Sequence, residues 1–176
     1  MLLADLAWNS FGYRFLYLLH ILFVIVGFGS TFVYAALASR ARKLSPVEGH
    51  AISHASLDVG KGLTTFPIYG AGLVGIILVL VGEGWKFSQT WISIAFLLFI
   101  IGIAVSAFVH TPNLKAMDAL QEQLIAGQAA APATGGPPPE VAELQARGKR
   151  AGMTGGILHL IFLLLVIDMI WKPGFP

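Results

Sequence analysis

The stretch Phe15-Leu-Tyr-Leu-Leu-His20-Ile-Leu-Phe-Val-Ile-Val-Gly-Phe-Gly-Ser-Thr-Phe-Val-Tyr-Ala-Ala-Leu-Ala38 carries a single ionisable imidazole, His20, in an otherwise uncharged run of about 24 residues. A helix needs ~20 such residues to cross a bilayer. Three more segments have the same character, at 63–82, 91–110 and 153–171, and the last has only His159 and Asp168 as ionisable groups. The chain as a whole is 56% apolar and 11% charged, against ~25% charged for soluble domains. A water-soluble globule of 176 residues has no interior large enough for that much apolar surface. With the bilayer as solvent, backbone groups must be satisfied within helices. The short alternating segments of a membrane barrel are absent. The expected fold is all-α: a polytopic, four-transmembrane-helix bundle with cytoplasmic helical extensions, in one domain.

Cysteine is absent, which removes disulfides, iron–sulfur clusters, thiolate metal sites, covalently attached haem and thiol nucleophiles. The net charge of +2 gives no reason to expect a nucleic-acid partner. Ala36-Leu37-Ala38 has the small-x-small form of a cleavage site, but the run before it far exceeds the ~7–15 residues of a secretory apolar region. The first segment therefore reads as a retained helix.

Charge orients the chain. The 1–2 and 3–4 connections carry Arg40, Arg42, Lys43, Lys61, Lys115, Arg147, Lys149 and Arg150, and the opposite side carries only Arg14, Lys86 and Lys172. The positive-inside rule places both long loops in the cytoplasm of an inner-membrane protein, with both termini outside. Trp8, Trp85, Trp91 and Trp171 all fall on the outer side, the interface that indoles favour.

Within this frame, residues 1–14 read as an interfacial lead-in. Ser45-Pro46-Val47-Glu48 has the form of a helix start, with Ser as N-cap, Pro first and Glu third. His50, His54 and Asp58 would then recur every four residues on one face. Pro67 removes a backbone bond to Leu63 and should kink the helix, with Thr64 and Thr65 placed to satisfy freed groups. Gly70-Ala71-Gly72-Leu73-Val74-Gly75 matches the letters of a dinucleotide loop, but that motif needs a preceding strand, so it reads as a helix-packing surface. Pro112 should break or kink the third helix near His110. Leu114, Met117, Leu120 and Leu124 then mark an amphipathic helix over 113–126, ended by Gly127. Residues 128–139 are a flexible Pro/Gly/Ala loop, and 140–150 are a short helix leading into the fourth span.

Ionisable groups inside a membrane are candidates for function. His20 and Asp168 fall at comparable depth, and a hydrogen bond between them would fix one imidazole tautomer. His20 with His159 or His110 of another helix is the pair expected for a b-type haem. The competing ligand set is a divalent metal near the cytoplasmic face, held by His54 and His110 with His50 or Asp58. Asp168, with His20 and His159, is also a candidate proton relay.

Leu18-Leu19-His20 through Gly29 resembles the opening helix of a broad bacterial group. It includes copper-resistance D-like membrane proteins, protoporphyrinogen oxidases of the HemJ type and an integral-membrane family without assigned activity. Gly27 stands where that pattern often has Trp. His110-Thr111-Pro112 and Asp168-Met169-Ile170-Trp171-Lys172-Pro173-Gly174 resemble helix ends of the last family. The resemblance implies a four-helix membrane fold and, through the HemJ type, a b haem with His20 at the first-helix histidine. The leading expectation is a haem- or metal-binding membrane protein of redox type. The alternatives are a non-catalytic accessory or scaffold subunit of a membrane complex, and a small-solute or proton carrier, which four helices would serve as a homo-oligomer.

Overall fold

The computed structural model describes residues 7–130 and 139–174. Most of the 128–139 loop and the first residues of the lead-in therefore lie outside the described residues. Six helices account for the rest: α1 (Phe11–Ala41), α2 (Pro46–Gly60), α3 (Phe66–Val81), α4 (Thr90–Val105), α5 (Thr111–Ala130) and α6 (Pro139–Trp171). Single π-turns join α2 to α3 (Lys61–Thr65) and α4 to α5 (Ser106–His110). The result is four long rods, each long and apolar enough to cross a membrane, in an all-α bundle. Large side chains such as Phe15, Ile25, Leu73, Ile100 and Leu163 point outward, a surface suited to lipid rather than water.

The helix starts are written locally. Ser10 caps α1 by accepting the Tyr13 amide. Ser45 and Glu48 form a reciprocal capping box on α2, with Pro46 in its first turn, as the sequence pattern requires. Only four residues separate α1 from α2, so the two must run antiparallel.

Small residues set their register. A Cβ on Gly49 would lie 2.7 Å from the Ala41 carbonyl oxygen, one on Gly60 would touch the Tyr34 ring, and one on Gly27 would lie 2.9 Å from Ile68 Cγ1 and 3.1 Å from the Ile68 amide nitrogen. The glycine-rich run in α3 is a packing surface in fact. Gly70 faces Phe23, Gly75 faces the His20 ring, and Gly72 faces Phe99 of α4. A second hairpin pairs α4–α5 with α6 through Gly102 against Ile161, Asn113 donating to the Arg147 carbonyl (2.9 Å), and Gly148 against Met117. The hairpins meet at Phe28 on Phe162 (centroids 4.3 Å) and at Thr31 on His159.

Neither proline breaks its helix. Pro67 and Pro112 each stand two residues beyond the end of a π-turn, and both helices continue. A proline ring clashes with the carbonyl four residues earlier and offers it no N–H. Widening the preceding turn by one residue relieves the clash, and the amides of Phe66 and Thr111 bond five residues back, to Lys61 and Ser106. Ser30 of α1 lies 3.2 Å from the orphaned Leu63 carbonyl and 2.6 Å from Thr64 Oγ1, and Thr65 bonds to the Gly60 carbonyl. The third rod likewise runs on past Gly127 to Ala130.

At the end remote from the long connections, Trp8 stacks on Trp85 (4.8 Å). The Trp85 indole donates to Tyr13 Oη (2.8 Å), and the Lys172 ammonium sits 4.9 Å from the Trp85 ring and 5.4 Å from the Trp91 ring. This is hereafter the tryptophan end, and the other is the basic end.

Gly27 and Gly29 separate close packing from mere helix content, because a Cβ at Gly29 meets nothing. Gly27→Ala is expected to lower stability by about 1–3 kcal/mol through overpacking. Gly29→Ala should leave it unchanged or raise it, since alanine is the better helix former. Melting of the two variants in the same detergent checks this.

Candidate metal centre

Beyond the π-turns, at the basic end, α2 and α5 lie side by side. The four-residue spacing in α2 puts His50 and His54 on the face that meets α5, with ring centroids 5.7 Å apart. Asp118 of α5 projects between them. Its Oδ2 accepts from His54 Nδ1 at 2.9 Å, and its Oδ1 lies 3.1 Å from His50 Nε2. That second contact has the distance of a hydrogen bond but not the direction, and both atoms are shut off from solvent without a hydrogen-bond partner. An imidazole nitrogen and a carboxylate oxygen thus face the same small space. Together the three residues offer ligand atoms within 4.8 Å of one another. Around an ion with bonds of about 2.1 Å, modest rotamer changes would close that set.

Electrostatics favour a proton there when no ion is bound. The hydrogen bond to Asp118, and then its charge, hold the His54 imidazolium above the usual histidine range. Asp58, one turn along α2, is drawn to Lys61 instead (2.9 Å), whose ammonium holds its carboxyl below the usual range. Its other oxygen is 3.8 Å from His54 Nε2. Asp118, rather than Asp58, supplies the close carboxylate. A signal for it existed: Asp118 lies four residues after Leu114, on the apolar stripe of α5, where an acid needs a partner.

The remaining histidines do not join this cluster. His110, in the π-turn, donates through Nδ1 to Thr154 Oγ1 at 2.7 Å, since the Thr154 hydroxyl is committed to the Arg150 carbonyl. Eight residues separate it from Asp118 along the rod, about 12 Å. His159 donates through Nδ1 to the Gly155 carbonyl (2.8 Å) and meets Thr31 Oγ1 through Nε2 (3.1 Å). Its ring packs on Phe32, and His110 packs on Gly155. Ser30, Thr31, Thr64, His110, Thr154 and His159 thus form one polar layer at the level of both π-turns.

His20 stands apart. Its Nδ1 donates to the Ala71 carbonyl at 2.9 Å. Because His159 is level with Thr31, the two imidazoles are offset by about 16 Å along the bundle, so they do not face each other across a common space. Asp168 is 5% exposed, and its carboxylate oxygens have no hydrogen-bond partner among the described residues. It borders a groove against Ile94 and Leu98 of α4, while His20 faces α3. The expected His20–Asp168 hydrogen bond is not formed.

No family model, curated protein or solved structure matches this chain.

The His54–Asp118 contact predicts a titration. In Asp118→Asn the His54 midpoint should fall toward the ordinary ~6.5, read from its imidazole Cε1 proton by NMR. Because the folded-state value is raised, this contact's help to α2–α5 docking is complete below the unfolded midpoint. It is lost as pH rises through the folded one.

Proposed function

We propose that this chain is a multi-pass inner-membrane protein that binds one divalent transition metal through His50, His54 and Asp118, and that the metal serves a redox-type role. The observation that carries the reading is the pair of solvent-free, unbonded ligand atoms, His50 Nε2 and Asp118 Oδ1, 3.1 Å apart. Two imidazoles and one carboxylate suit iron(II), cobalt, nickel or copper(II), which can change oxidation state, rather than calcium or magnesium. Three protein ligands leave further coordination positions for water or a substrate. The site would face the cytoplasm, on the side of Arg40, Arg42, Lys43, Lys61, Lys115, Arg147, Lys149 and Arg150, with both termini outside by the positive-inside rule.

Titrating the detergent-purified protein with cobalt(II), followed by its visible absorption, tests the assignment. One ion per chain is expected. His50→Ala and Asp118→Asn should each weaken binding by at least tenfold. Affinity should climb as pH rises through the elevated His54 midpoint, since the metal must displace a proton. Unchanged affinity in Asp118→Asn would remove the reading.

One observation favours a second cofactor. His20 holds its Nδ1–H in a hydrogen bond to the Ala71 carbonyl, which leaves Nε2 as the atom a metal or haem iron would take. Together with the first-helix resemblance, this supports a b-type haem at His20. A reduced-minus-oxidised spectrum should then show an α-band that disappears in His20→Ala. A colourless protein without bound metal would favour the accessory-subunit reading instead.

A further inference from the structure

A groove of about 540 Å³ runs down the outside of the first hairpin, between α1 and the α2 rod, and Ile25, Val33, Leu37, Ala55, Val59 and Leu63 are among the residues that line it. It lies on the flank of α2 that turns away from the metal ligands. Two dimensions identify what it fits. The apolar run 15–38 is centred at Val26–Gly27, so the groove starts at mid-bilayer with Ile25 and ends at the basic interface with Leu37. That span is about 18 Å, and one leaflet's hydrocarbon is about 15 Å deep.

Its lining is apolar apart from Ser30, Tyr34 and Ser56. Val26, Ser30, Val33, Leu37 and Arg40 follow one another at helical spacing on a single stripe of α1, which brings Arg40 to the groove's mouth. Arg40 is exposed and makes no ion pair among the described residues. Arg42 and Lys43 follow it, equally without an ion pair among those residues. Tyr34 lines the wall, and its hydroxyl, wedged against Gly60, is enclosed and makes no hydrogen bond. It is a donor without an acceptor, about one helical turn inside the edge of the apolar run.

We propose that this groove is a binding site for an anionic glycerophospholipid of the leaflet at the basic end. One acyl chain fills the space between α1 and α2, and the phosphate sits at Arg40. Charge complementarity distinguishes this occupant from a zwitterionic lipid, and the one-leaflet length distinguishes it from a protein helix, which would continue past Ile25.

The test is native mass spectrometry of the full chain released from detergent after equilibration with phosphatidylglycerol or with phosphatidylcholine of the same acyl chains. One phosphatidylglycerol should be retained per chain, in clear preference to phosphatidylcholine. Arg40→Gln should reduce that preference by about fivefold, the effect of one basic residue near a charged headgroup. Ala55→Trp, which fills the groove from α2, and Val33→Trp, which fills it from α1, should each abolish retention while helix content by circular dichroism is unchanged. Equal retention of the two lipids overturns the proposal, as does wild-type retention in both tryptophan variants. Displacement by glycerophosphate, which lacks acyl chains, would mean that the headgroup alone binds and the groove does not.

Discussion

Two carbonyls that lose their amide partners inside an apolar slab govern this architecture. Pro67 and Pro112 leave Leu63 and Phe108 without the donor that a continuous α-helix supplies. Water is not at hand to replace it. Each helix answers with a π-turn placed identically relative to its proline. At the first of these, Ser30 of the neighbouring helix comes to the freed carbonyl. This recruits hydroxyls to one level of the bundle, and the imidazoles of His110 and His159 settle there beside Thr154 and Thr31. π-turns are common at functional positions. Here they sit between the apolar rods and the polar extensions that carry His50, His54 and Asp118.

Much of the framework was legible in the sequence. Apolar run lengths located the four long apolar helices, and Ser45-Pro46-Val47-Glu48 placed the start of α2 near residue 46, where it lies. Gly70 to Gly75 was readable as a packing face because no strand precedes it. The prolines were read as kinks or breaks, and there the structure differs. Helix propensity is local, whereas the partner that rescues Leu63 comes from Ser30, 33 residues earlier. Hydropathy has no means to announce such a donor.

The site was half legible for a related reason. A four-residue repeat of histidines declares a shared face at once, so His50 and His54 could be named. Their carboxylate partner depends on which helix lies opposite, and rotation about a helix axis is not written in apolar run length. Asp58 continued the same periodicity and was the natural choice, yet Lys61 three residues on claims it. Depth estimates placed His20 and Asp168 near one level. Their rings and carboxylates turn to different neighbours, α3 for one and α4 for the other.

The ligand set is divided between the two hairpins, with His50 and His54 on the first and Asp118 on the second. Each hairpin has its own internal register, set by Gly49 and Gly27 in the first and by Gly102 and Gly148 in the second. The polar contacts that join the hairpins include Thr31 with His159 and the Asp118 carboxylate between two imidazoles. The proposed centre therefore needs both hairpins to be docked, since neither alone carries all three groups. The contact between the two imidazoles and the carboxylate thus doubles as a clasp between the halves of the bundle.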